Sequence, residues 1–210
     1  MNRLFVLVGP SAAGKTLISN FIVNRDISRF DKILNKADLE TQKLMIENFK
    51  KAKTLLYKKE FKKVITSTSR CPRENEFQGV DYYFYTKQEF EEKILENKFL
   101  EYVQNFGNYY GTSFTSIKES IEESHGIIVI DDDGARKLKE TFKNQVVTIY
   151  LDVSIKTMEA RMKGRNESLE SYKARVENLK IINYKKEADY IIDANERIDL
   201  VILDIVDIMN

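Results

Sequence analysis

Near the start of the chain, Gly9-Pro10-Ser11-Ala12-Ala13-Gly14-Lys15-Thr16 sets two glycines, a lysine and a hydroxyl at the spacing G-x-x-x-x-G-K-[ST]. Each fixed position has a chemical use. Glycines let the backbone curl until successive N–H groups point inward at an anion. A helix starting at the end of such a loop adds the positive end of its dipole. Lys15 can reach the outer phosphates of ATP, and the Thr16 hydroxyl can ligate Mg²⁺. The stretch is a phosphate cradle, and by itself it says nothing about what receives the phosphoryl group.

Two further groups could do chemistry. Arg70 and Arg73 flank Cys71-Pro72, and two planar guanidinium forks on one loop suit a phosphate monoester. Glu101 is a candidate base reader. An ionised carboxylate can only accept, and guanine offers adjacent N1–H and N2–H₂ donors on one edge. Adenine has an acceptor at N1 and would leave the carboxylate unpaired. Downstream, Asp131-Asp132-Asp133 follows an apolar run, so these acids sit at a carboxyl strand end, where ligands bind in open α/β sheets. Asp132 and Asp133 also suit the cap of the next helix.

The elements that must hold these residues alternate. The apolar Leu4–Val8 has the length of a buried strand, and a helix begins near Gly14. Met45, Phe49, Ala52 and Leu56 recur at helical spacing and predict a helix over about 39–59. Strands are expected at 64–67, 127–130, 146–151 and 190–192. Helices are expected at 87–96, 135–142, 155–162, 170–186 and 198–209. The stretch from Arg70 to about Lys118 is instead rich in Tyr, Phe and turn residues, as in a small α+β insertion. Strand–helix alternation implies an α/β fold with a mainly parallel sheet covered on both faces.

Composition narrows the class. The chain has 210 residues, 32% of them charged, with 34 Lys and Arg against 33 Asp and Glu. A net charge of +1 gives no general reason to expect nucleic-acid or membrane binding. One cysteine, Cys71, excludes an intramolecular disulfide and fits a reducing cytoplasm. The single histidine, His125, beside Gly126, is expected in a surface loop without catalytic partners.

Together, Thr66-Ser67-Thr68-Ser69-Arg70-Cys71-Pro72-Arg73, Glu76, Gly79-Val80-Asp81-Tyr82, Phe99-Leu100-Glu101-Tyr102 and Gly107-Asn108-Tyr109-Tyr110-Gly111-Thr112 resemble the GMP-binding segment of guanylate kinases in order and spacing. The resemblance implies ATP-dependent phosphorylation of GMP, and of dGMP, to the diphosphate. It implies a P-loop kinase in three parts. A core spans 1–65 and 119–210, a GMP-binding subdomain spans 66–118, and a mobile lid lies near 163–175. It implies Mg²⁺ as cofactor, ATP and GMP as the small-molecule substrates, a cytoplasmic location, and a monomer or homodimer. Thr66, Tyr82, Tyr110 and Thr112 become hydroxyl contacts to GMP. Asp131 becomes the carboxylate near metal and acceptor, with Val129 where the family has a first acid. Arg161, Arg165 and Arg175 match arginines of the lid. The stretch from about 24 to 63 lacks a clear counterpart, and packing or self-association is expected of its extra helical segment at about 31–59. Two rival readings stay open: a kinase of this fold with another acceptor, and a catalytically inactive guanylate-kinase-like binding module. The intact Gly14-Lys15-Thr16 argues against the second.

Overall fold

The structure, a computed structural model, describes residues 1–73, 76–105, 107–163 and 184–210. Leu4–Val8 forms β1, and every residue of it is buried. Its side chains alternate between two cores, so both faces of the strand are covered. Helix α1 (Lys15–Asn24) follows, then the short α2 (Asp31–Leu34) and the long α3 (Leu39–Leu56). Asp38 caps α3 by accepting from the Thr41 amide at 2.9 Å. The four residues picked out by periodicity, Met45, Phe49, Ala52 and Leu56, are all buried. Phe49 packs against Phe21 of α1 and against Phe30, with ring centroids 5.5 and 4.6 Å away. The extra segment therefore serves packing.

The chain then forms β2 (Phe61–Lys63), β3 (Ser67–Thr68), β4 (Tyr83–Phe84), α4 (Lys87–Leu95), β5 (Phe99–Asn105), β6 (Asn108–Ser113) and α5 (Phe114–Glu122). It continues through β7 (His125–Val129), α6 (Asp132–Phe142), β8 (Val146–Asp152), α7 (Ile155–Lys163), β9 (Tyr190–Asp193) and α8 (Ile198–Met209). Among the described residues there are two sheets. One is parallel throughout, in the order β2-β7-β1-β8-β9. The chain leaves β1 to one side for β2 and β7, then crosses to the other for β8 and β9. Order thus reverses beside β1, which opens a crevice at the carboxyl ends of β1 and β8. The second sheet, β4-β3-β6-β5, lies within residues 67–113.

Helices α1, α3 and α8 cover one face of the parallel sheet, and α5 and α6 the other. A polar tie joins α3 to α8: Asn48 donates to the fully buried Asp199 at 2.8 Å. No helix among the described residues is long and apolar enough to cross a membrane.

Two expectations need correction. The single strand expected at 64–67 is a seam between two sheets. The parallel sheet takes Phe61–Lys63, and the Val64 amide still donates to Ile127 O at 2.9 Å. By Ser67–Thr68 the chain has joined the second sheet. β2 was overlooked because its lysines break the apolar run, as suits an edge strand. His125 is not in a loop but opens β7. Its Nδ1 accepts from the Arg3 amide at 3.1 Å, and its ring lies 5.3 Å from that of Phe61. Burial pushes its pKa down, so it acts as a neutral packing group. Of the helix expected at 170–186, Tyr184–Lys186 forms a 3₁₀ turn and the rest lies outside the described residues.

Candidate active site

The loop Gly9–Gly14 carries the chain from β1 to α1. Gly9 has φ 132°, and a Cβ there would fall 2.6 Å from the Leu151 carbonyl oxygen on β8. Only glycine lets the loop lie this close to the sheet. Gly14, at φ 92°, is the N-cap of α1 and supplies no side-chain cap. The first amides of α1 thus keep their positive character for an anion. Lys15 Nζ donates to the Gly9 carbonyl at 2.5 Å and the Pro10 carbonyl at 2.7 Å. Burial pushes its pKa down to about 8, with the charge of Asp132 pulling the other way. A desolvated ammonium on the loop is poised for an anion that would repay the lost hydration. Thr16 is exposed at the first turn of α1.

Arg161 of α7 reaches this loop. It donates to the Ala12 carbonyl at 3.3 Å and the Glu196 carbonyl at 3.4 Å. Burial lowers its pKa. The guanidinium thus bridges the loop and the turn between β9 and α8. Arg165 and Arg175 lie outside the described residues.

The residues expected at the acceptor site gather on and beside the second sheet. Arg70 donates through Nη1 to the Cys71 carbonyl at 2.7 Å and through Nη2 to Glu76 Oε1 at 3.0 Å. Its guanidinium lies 5.6 Å from the centroid of Tyr82 and 5.8 Å from that of Phe84. Tyr110 lies close enough to help Glu76 raise the Arg70 pKa against burial. Tyr82 is half-buried, and burial holds its hydroxyl neutral by raising its pKa. Thr66 is half-buried at the entry to β3, and its carbonyl accepts from the Tyr83 amide. Arg73 is exposed. Arg70, Tyr82 and Tyr110 thus form one cluster, with Arg73 on the same loop.

Glu101 and Thr112 pair directly across β5 and β6. A β-bulge between Phe99 and Glu101 sets that register and aims the carboxylate. Thr112 is buried opposite Glu101, and its hydroxyl and amide favour the charged carboxylate. Burial raises the Glu101 pKa, opposed by the Thr112 bonds, while the charge of Asp131 raises it further.

The acidic run divides between the two groups. Asp131 is the N-cap of α6, its side chain accepting from the Gly134 amide at 2.8 Å. Its charge bears on Glu101, and that of Asp132 bears on Lys15. Asp132 also accepts from the Tyr184 amide at 3.3 Å, and Asp133 pairs with Arg136 at 2.9 Å. Adjacent acids at one helix start thus influence the titration of two different groups, Glu101 and Lys15. Two participants were missed from sequence. Glu76 stood inside the recognised block without a role, and Asp132 was read as a cap.

Among the described residues no cluster of three or more His, Cys, Asp or Glu could enclose a metal ion. The donors fit a different mode. One exposed hydroxyl, Thr16, stands beside the phosphate loop, and Mg²⁺ is commonly held by substrate phosphates, waters and one or two protein ligands.

Comparisons with known proteins agree on one family. A family model described as guanylate kinase matches residues 47–210. A guanylate kinase of Clostridium tetani is 38% identical over 159 residues, covering 71% of this chain and 76% of the relative. One from Fusobacterium nucleatum is 38% identical over 135 residues, covering 63% of this chain and 73% of the relative. The crystal structure of guanylate kinase from Anaplasma phagocytophilum superposes with a TM-score of 0.59 at 23% identity, covering 99% of this chain and 84% of that one. That last likeness bears on the fold.

Proposed function

The chain belongs to the guanylate kinase family, and from that premise we propose how its residues share the transfer of the ATP γ-phosphoryl group to GMP. The overall reaction converts ATP and GMP to ADP and GDP. ATP sits at the carboxyl end of β1. The loop 9–16 cradles its phosphates with backbone amides, and Lys15 exchanges the Gly9 and Pro10 carbonyls for phosphate oxygens. Arg161 borders the same pocket. GMP lies against the second sheet. Arg70, Arg73, Tyr82, Tyr110 and Thr66 hold its phosphate, and Glu101 with Thr112 reads the guanine edge.

Mg²⁺ would be held by Thr16 and the nucleotide phosphates, with Asp132 and Asp131 as the nearby carboxylates. When bound, it supplies positive charge against the β- and γ-phosphoryl oxygens. No side chain need act as a strong base, because a GMP phosphate oxygen is already nucleophilic. The chain's own contribution is orientation and charge stabilisation.

The pairing of Glu101 with Thr112 is the observation that carries the choice of GMP. Thr112 occupies one side of the carboxylate and leaves acceptor capacity for two guanine donors. A coupled ADP-release assay across GMP, AMP, CMP, UMP and sugar phosphates tests the reading. Turnover is expected with GMP alone at micromolar-to-millimolar acceptor. Comparable rates with AMP or a sugar phosphate would refute it.

A further inference from the structure

Glu76 touches both halves of the Arg70–Arg73 loop. Its Oε1 accepts from Arg70 Nη2 at 3.0 Å, and its Oε2 lies 2.9 Å from the same nitrogen. Oε2 also accepts from the Arg73 backbone amide at 2.8 Å. Arg70 and Glu76 side chains are only 16% and 19% exposed, so this pair sits inside the lobe. Arg70 is boxed in further by the Cys71 carbonyl and the rings of Tyr82 and Phe84. From this geometry we infer that Glu76 is a positioning residue. It clamps the Arg70 guanidinium and, through the amide, the backbone of Arg73, so that Arg70 and the loop carrying Arg73 are preset for the acceptor phosphate. The inference rests on the proposed reading of those arginines.

Charge alone predicts the opposite sign. A carboxylate beside a site for a dianion should weaken binding, and its removal should tighten it. Positioning must therefore outweigh repulsion. A free arginine side chain gives up rotamer entropy when it is fixed. The clamp settles that before GMP arrives, and it also satisfies the Arg73 amide. The carboxylate's repulsion is blunted because its charge is already matched by Arg70 at 2.9 Å.

The test compares GMP with guanosine, which lacks the phosphate. KM and kcat for GMP, and Ki for guanosine as a competitor, are measured for the native chain, Glu76→Ala, Glu76→Gln and Arg70→Ala. For Glu76→Ala a roughly tenfold or greater loss of GMP affinity is expected, with guanosine Ki changed less than twofold. Glu76→Gln keeps an acceptor for the Arg73 amide and should fall between. Tighter GMP binding by Glu76→Ala would overturn the inference, since repulsion would then dominate. Equal losses for GMP and guanosine would also overturn it, because Glu76 would merely hold the lobe together. If Arg70→Ala leaves the GMP-to-guanosine ratio unchanged, the phosphate site itself is misplaced and the inference falls with it. That failure is told apart because Arg70→Ala, rather than a Glu76 variant, is then the silent one.

Discussion

Replacing Glu101 with Gln should convert a guanine-selective site into a weakly selective one. The carboxylate has four acceptor positions on two oxygens. Thr112 lies against it across the two strands, and its hydroxyl and amide favour the charged form. The acceptor positions left free by Thr112 face the guanine N1–H and N2–H₂. Gln offers one oxygen and one NH₂. Turned either way, its NH₂ meets a donor, because the Thr112 hydroxyl can reverse its role but a backbone N–H cannot. GMP thus loses one bond to a charged acceptor, about 1.5–3 kcal/mol, and gains a donor–donor mismatch of about 1–3 kcal/mol. AMP moves the other way, since the native carboxylate stands unpaired against it. The sum, roughly 2.5–6 kcal/mol, narrows the GMP-to-AMP ratio of kcat/KM by about 10² to 10⁴. The native ratio should be about 10⁴ or more. Steady-state kinetics on both acceptors reads it directly. Circular dichroism melting confirms that the variant is folded. A ratio unchanged within about threefold would mean that shape or another residue reads the base, and the role of Glu101 would be lost.

Three other perturbations probe the remaining links. The Lys15 pKa, pushed down to about 8, makes kcat/KM for ATP fall as pH rises through that value, as the ammonium is lost. Folding stability should move in the opposite direction. Between about pH 8 and 10.5 the folded chain holds fewer protons at Lys15 than the unfolded chain, so this group makes stability rise with pH. Lys15→Ala should abolish both trends and cost a hundredfold or more in kcat, and a variant with near-native ADP release would sink the phosphate-loop assignment. Asp131→Asn keeps a good cap for α6 but should raise KM for GMP, whereas Asp132→Asn should alter the dependence on ATP and Mg²⁺; reversed effects would show that the two acids have been assigned to the wrong halves. Phe49→Ala should cost about 3–5 kcal/mol and lower Tm by roughly 6–20 °C, and a loss under about 1 kcal/mol would deny α3 its packing role.

The elements legible in the sequence are those whose burial is uniform along their length. β1 is apolar at every position because helices cover both its faces, and α3 shows its period because only one stripe meets the core. Legibility fails where one short run answers to two environments. Val64-Ile65-Thr66-Ser67 is β-branched and apolar enough for a strand, yet it spans the gap between two sheets that share no hydrogen bond there. Periodicity measures a face; it cannot show that the face changes sheet. Glu76 was opaque for a related reason. A carboxylate between two arginines is ordinary surface composition until its second oxygen is seen to take a backbone amide.

The acids after β7 show how little sequence distance separates the two proposed substrate sites. Asp131 ends the strand side of the turn in an extended conformation, with ψ 179°, and Asp132 begins α6. That change of backbone direction gives consecutive carboxylates different partners, the Gly134 amide for Asp131 and the Tyr184 amide for Asp132, and their charges bear on Glu101 and Lys15 respectively. A spacing rule that counts residues from Gly134 can locate the turn. It cannot assign each charge to a substrate, because the cap geometry makes that division. Val129, where the family pattern has an acid, lies in β7 and packs partly buried against the core. An acid there would have to be desolvated within the strand. Asp132 places a carboxylate on the ATP side from the first turn of a helix instead, where the dipole favours negative charge. Negative charge beside the phosphate loop is thereby kept without the strand acid, which is why the absence of an acid at residue 129 is compatible with phosphoryl transfer.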